Sequence, residues 1–228
     1  LGPPASLVEE FGGFFLRGGD LGFPVKGRTT VFVDGFNLYH SLKEDARYHR
    51  YKWLNLRKLA ECFVPSENLD TVLYFTSYAD WNPRKTKRHQ HYIRALAAHD
   101  VETVLGRFKP KTLTCLARCG EQYRTHEEKQ TDVNIALALL ERAFLGKYDS
   151  AVLITGDTDI VPAVEAVVQN FPDKPVFLVK PFRRKAEELI RVCTEHRKIY
   201  EKHLKRSLLD NPVVLPDGQK LFCPDKWE

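Results

Sequence analysis

Short uncharged runs recur along the chain, and between them apolar residues return every three or four positions. That alternation of periods is the pattern of strands interleaved with helices. The clearest run, Ala151-Val-Leu-Ile-Thr155, carries no charge and suits a strand buried on both faces of a parallel sheet. Gly156 breaks it, Asp157 and Asp159 follow, and residues 160–168 resume with helical spacing. Thr29-Thr-Val-Phe-Val-Asp34 reads as the first core strand, with a helix opening at Gly35-Phe-Asn37. Residues 69–78, 101–108 and 175–179 supply three more strands. Helices are predicted over 53–63, from Asn82-Pro83 to about residue 99, from Thr131 onward, and over 185–204. Thr131 is expected to cap its helix and Val133, Ala136, Leu137, Leu140 and Phe144 to form its buried stripe. Residues 109–131 show no period and read as a long irregular connection, whereas Asp217-Gly218 signals a hairpin turn. The sum is a three-layer α/β domain around a mainly parallel sheet of about five strands, plus a C-terminal hairpin.

Length adds domain organisation: 228 residues accommodate one substantial domain with appendages. Residues 1–27 form a Gly-rich extension whose Phe11, Phe14, Phe15 and Phe23 are expected to pack on the main body, residues 28–206 the domain, and residues 207–228 the tail. Residues 1–27 lack the basic start, apolar centre and cleavage site of a signal peptide, and with no Met in the chain the biological start is expected elsewhere. No apolar run approaches the roughly 20 residues that span a bilayer, so no membrane is expected. Five scattered cysteines do not form a disulfide framework, which favours a reducing, cytoplasmic setting. Cys115 and Cys119, beside His126, are thin for a structural zinc, which wants four ligands, and read as ordinary thiols with a zinc site as the alternative. The net charge of +5 is concentrated: residues 180–206 hold ten Lys or Arg against four Glu. Such a segment suits a polyanionic partner, although a solvated helix face accounts for it as well.

Three carboxylates carry the candidate chemistry. Asp34 ends the first strand, Asp157 follows the strand at 151–155, and Asp132 lies in the first turn of a helix. In an open α/β sheet all three belong to the carboxyl rim, where ligands bind. Each alone would serve as a cap or turn residue. Together they repel one another unless a cation intervenes. Oxygen-only ligands suit Mg²⁺ or Mn²⁺, which activates water and neutralises a phosphodiester's developing charge.

Val31-Phe-Val-Asp-Gly-Phe-Asn-Leu38, Glu128-Lys-Gln-Thr-Asp-Val-Asn-Ile-Ala136 and Thr155-Gly-Asp-Thr-Asp159 together resemble the NYN domain of the PIN-like nucleases, in its LabA-like branch, over residues 28–204. The resemblance implies a PIN-like Rossmannoid three-layer sandwich and metal-dependent ribonuclease activity. It makes Asp34, Asp132 and Asp157 metal ligands, adds Asp159 as a fourth acid, and gives Asn37 a role in orienting substrate or carboxylate. Lys129 matches a basic position before the helix, and Glu128 is a candidate for the mid-chain Glu of PIN domains. Ile160 stands where many relatives have Phe.

Arg84, Lys85, Lys87 and Arg88, just past the second strand, and Arg183, Arg184 and Lys185 are candidates to hold RNA phosphates, with solvated faces as the alternative. Tyr78, Trp81 and Phe108 suit either base stacking or core packing. Two rivals remain. A haloacid-dehalogenase-type phosphatase needs an Asp two residues after Asp34, where Phe36 stands. A catalytically silent RNA-binding module of the same fold is the other.

Overall fold

In the computed structural model, which describes residues 22–115 and 120–227, the sequence motifs are ordered around one sheet. Strands β1 (Thr29–Asp34), β2 (Leu69–Thr76), β3 (Val101–Leu105), β6 (Ser150–Ile154), β7 (Val176–Lys180) and β8 (Glu195–Lys198) form it in the order β3-β2-β1-β6-β7-β8. All five pairings are parallel, so the sheet has six strands rather than about five. The chain adds β2 and β3 on one side of β1, then β6, β7 and β8 on the other. The switch point therefore lies between β1 and β6.

β1 and β6 are buried along their whole length. Their side chains alternate between two cores: Val31, Val33, Val152 and Ile154 face one, and Phe32, Ala151 and Leu153 the other. Helices α1 (Gly35–Lys43), α2 (Leu56–Glu61) and α3 (Pro83–Ala97) cover the first face. Helices α4 (Thr131–Phe144) and α5 (Val161–Asn170) cover the second, giving the three layers. Asn82 caps α3, accepting the Lys85 N–H at 3.0 Å, with Pro83 in its first turn.

Four expectations fail. The irregular connection expected over 109–131 instead holds two strands, since β4 (Arg107–Thr114) and β5 (Gln122–Lys129) pair antiparallel as a hairpin. Neither strand has a buried face, and Pro110 lies within β4, so no period-2 signal existed. The continuous basic helix over 185–204 is also absent. Its residues divide into α6 (Glu187–Val192), β8 and α7 (Glu201–Arg206). β8, Glu-His-Arg-Lys, is an edge strand, where charged side chains are tolerated and discourage pairing with another chain. Third, α4 buries Thr131, Ile135, Leu139 and Ala143, while Val133, Leu137 and Phe144 are exposed. The helix is apolar on most of its circumference, so two stripes were available; contact with the sheet selects the other. Nor does the Thr131 side chain cap it, since Gln130 is the N-cap residue, in a left-handed conformation.

The tail hairpin forms as expected, β9 (Val213–Val214) against β10 (Lys220–Leu221), with Asp217 accepting the Gln219 N–H at 2.9 Å. Trp227 packs with Trp53 and Tyr92. Phe23 is buried and stacks on Phe177 at 4.7 Å. Phe11, Phe14, Phe15 and Cys119 lie outside the described residues. Cys115 is a free thiol, and His126 stacks on Trp81. Among the described residues no helix is long and apolar enough to cross a membrane.

Candidate metal centre

Asp34, Asp132 and Asp157 converge at the carboxyl ends of β1 and β6, each offering an oxygen within 4.8 Å of the others. Different local causes deliver them. Asp34 is the last residue of β1 and the N-cap of α1, accepting the Asn37 N–H at 2.9 Å. Gly35 permits this turn: a Cβ there would meet the Tyr74 ring at 2.5 Å and the Phe75 carbonyl at 2.6 Å. Asp157 caps the short turn that precedes α5, accepting the Asp159 N–H at 3.1 Å. Asp132 is the second residue of α4.

Thr155 ties two of the acids together. Its buried hydroxyl donates to Asp34 Oδ2 at 2.8 Å and accepts the Asp157 N–H at 3.0 Å. Asn37 closes the crevice from the other side, its Oδ1 accepting the Gly156 N–H at 3.0 Å. Gly156 is also pressed by the chain after β7, since a Cβ would stand 2.4 Å from Arg184 Cβ.

Glu128, at the base of the β4–β5 hairpin, lines the same hollow. It accepts the Ser77 hydroxyl at 3.2 Å, the Thr131 N–H at 3.1 Å and the Thr131 hydroxyl. Residues with no site signal in the sequence complete the wall: Phe36, His40 and His126, with Phe108, whose position suits either base stacking or core packing. They come from α1 and the hairpin and meet only through the tertiary fold.

Electrostatics match a cation site. Burial, partly offset by the Asn37 and Thr155 hydrogen bonds, raises the pKa of Asp34, with Asp157 and Glu128 adding repulsion. Burial and the charges of Asp157, Asp34, Glu128 and Asp159 lift Asp132 to about 6. The donor set fits a hard divalent ion. It is all oxygen, it carries excess negative charge, and its spread falls within the ~5 Å reachable across a cation with ligands at 2.3–2.6 Å. Mg²⁺ or Mn²⁺, with shorter bonds, would take closer approach of one carboxylate or a bridging water.

The other predicted residues scatter. Asp159 is exposed and outside the three-acid cluster. Arg184 lines the hollow and pairs with Glu44 at 2.8 Å. Arg183 is turned to Asp45 at 2.9 Å, Lys185 is exposed, and Lys129 pairs with Glu127 at 3.2 Å. Lys85 and Arg88 line a neighbouring cleft, whereas Arg84 and Lys87 are exposed on α3.

Comparison with known proteins agrees with this architecture. A Vibrio parahaemolyticus protein of unknown function has a similar structure, with a TM-score of 0.54 over 83% of this chain and 100% of that one. At 21% identity the likeness concerns the fold alone. The chain is also 26% identical to 6-hydroxy-3-succinoylpyridine 3-monooxygenase HspA from Pseudomonas putida, over 88% of this chain and 75% of that protein. The NYN domain model matches residues 28–200, and with it all three acidic motifs; the chain belongs to the NYN domain family.

Proposed function

We propose that the protein is a ribonuclease that hydrolyses RNA phosphodiester bonds with Mg²⁺ or Mn²⁺ bound by Asp34, Asp132 and Asp157. The observation that carries this reading is the convergence of those carboxylates within 4.8 Å at the switch point of an NYN-family sheet. The ion, when bound, supplies activation of water and neutralisation of charge on the scissile phosphate. The chain's own residues set the stage. Thr155 and the Asn37 amide hold the two oxygens of Asp34 in fixed directions. Asn37 pins the Gly156 turn and so places Asp157. Arg184, fixed by Glu44, offers a positive charge to a phosphate oxygen in the hollow. Glu128 braces the start of α4, which carries Asp132, and Asp159 adds to the negative potential.

Lys85 and Arg88 are assigned to the approaching RNA, with Arg84, Lys87, Lys129, Arg183 and Lys185 as outer phosphate contacts. A cytoplasmic setting belongs to this reading, supported by the free thiols of Cys62, Cys115 and Cys193.

A second reading, oxygenation of a small pyridine as the HspA name describes, is favoured by one feature: an aromatic-lined cleft adjoins the acids. Incubating purified protein with single- and double-stranded RNA in Mg²⁺, Mn²⁺ or EDTA tests the proposal. Cleavage with either ion and none in EDTA is expected. RNA bound but intact in every ion would support the silent binding module instead. Oxygen uptake with 6-hydroxy-3-succinoylpyridine and an added two-electron reductant, and no RNA cut, would support the second reading.

A further inference from the structure

The acidic hollow shares Phe36, His40 and Phe108 with a second cleft of ≈ 250 Å³. Its floor is apolar: Leu54, Tyr74 and Tyr92 are each at most 6% exposed. At that floor the His89 ring nitrogen lies 3.3 Å from the Tyr74 hydroxyl and 3.2 Å from that of Thr76. Burial drops the pKa of His89 to about 4, so the imidazole is neutral at neutral pH and has a hydrogen-bonding edge to share. Trp81 also lines the cleft, packed edge-on to Phe108 at 4.7 Å.

Lys43, Lys52, Lys85 and Arg88 line the same cleft. Among the described residues none of the four forms an ion pair, although Arg28, Arg47, Arg50, Arg142 and Arg183 all do. Arg88 Nε is buried with no hydrogen-bond partner. After burial, the charges on Lys43 and Arg88 are what depress the Lys52 pKa, so these cations feel one another with no carboxylate between them. Lys52 and Arg88 are half-buried, whereas Lys43 and Lys85 are exposed at the rim; half-buried cations with no neutralising partner are unfavourable unless an anion joins them. The cleft thus combines an aromatic slot with an anion-seeking rim, directly beside three acids. Its volume lies below the roughly 300–1,000 Å³ of sites for drug-sized molecules, which limits it to about one ring system.

We infer that this cleft is a subsite for one unpaired nucleobase, with the flanking phosphates held by Lys43, Lys52 and Arg88, so that the adjoining phosphodiester lies over Asp34, Asp132 and Asp157. The ligand's identity rests on the ribonuclease reading; the slot and its charge do not. A base paired within a duplex cannot enter without being unstacked, so the subsite selects single-stranded positions. Aromatic stacking tolerates any base, which makes the selection one of structure rather than sequence.

Binding in EDTA separates this subsite from catalysis. The probe is a labelled single-stranded RNA of about ten nucleotides, measured alone and annealed to its complement. Ala79 also lines the cleft, and Ala79→Leu places bulk there without touching a carboxylate. It should weaken single-strand binding about 5- to 150-fold, the range of one lost base stack, and leave duplex binding unchanged. Lys52→Ala, independent of any packing defect, should reduce the log–log salt slope by about 0.7. Unchanged single-strand binding in folded Ala79→Leu would overturn the inference, and so would an unchanged slope in Lys52→Ala. So would equal loss on duplex and single strand, or saturable binding of 6-hydroxy-3-succinoylpyridine with no RNA bound. Cleavage is read separately in Mn²⁺. Wild type that binds as described but cuts nothing defeats the ribonuclease reading alone, whereas a folded Ala79→Leu that binds and cuts like wild type defeats the subsite alone.

Discussion

Asp132 gives the site a pH signature. Its pKa stands at about 6 in the folded chain against an ordinary 3.8, chiefly through burial and then through Asp157, Asp34 and Glu128. The folded state therefore holds a proton that the unfolded state has lost between those values. Without metal, stability falls as pH rises through that window, and the full penalty is present above it. Asp132→Asn should accordingly stabilise the metal-free protein more at about pH 7.5 than at about pH 4, by urea midpoint; an equal gain at both would contradict the assignment. Thr155 works in the opposite sense, because its hydroxyl supports the charged form of Asp34. Thr155→Val keeps the shape but removes that donor from a buried carboxylate and should cost about 1–3 kcal/mol in urea titrations. Divalent-ion binding by this variant should also demand a higher pH, since the Asp34 proton is held more tightly. The three acids were legible in the sequence because each follows the end of an uncharged run or opens a helix. Thr155 looked like the last residue of a strand, and nothing local shows that its hydroxyl binds two acid residues at once.

At the scale of elements, the site depends on how closely α1 and α4 approach the sheet. Gly35 sets the first distance, with the Tyr74 ring and a β2 carbonyl where a Cβ would go. Gly35→Ala should destabilise by about 1–3 kcal/mol through overpacking, read as a lower urea midpoint at constant slope. The elements that sequence reading found, β1, β2, β6, β7 and α3, have strong periods, clean breaks or a Pro at the start. Those it lost share a physical reason. The β4–β5 hairpin buries no face and β8 is a charged edge; α4 was found as a helix, but it is apolar enough all round that its own residues do not choose the stripe. The hairpin matters most, since it brings Glu128 and His126 to the acids from a segment that reads as structureless, together with Phe108 from the end of an expected strand.

For the whole molecule, the parallel sheet and its switch point do the positioning, and charge is arranged around them in two adjoining zones. One hollow is acidic, and the cleft beside it is cationic and aromatic. That division matches the needs of phosphodiester hydrolysis, with a cation-binding centre at the reacting phosphate and positive side chains along the strand. The positive charge concentrated in residues 180–206 is spread over a loop, two helices and a strand, so only Arg184 of the predicted trio lines the hollow. The central claim is that Asp157 helps hold the ion that drives cleavage. Its direct test is the RNA cleavage rate of Asp157→Asn beside wild type, in saturating Mn²⁺ with contaminating nuclease excluded. Asn preserves size and much of the turn's hydrogen bonding, so the fold and RNA binding should persist while the rate falls by orders of magnitude. Cleavage by Asp157→Asn at the wild-type rate would show Asp157 to be only the cap of its turn, and would contradict the account.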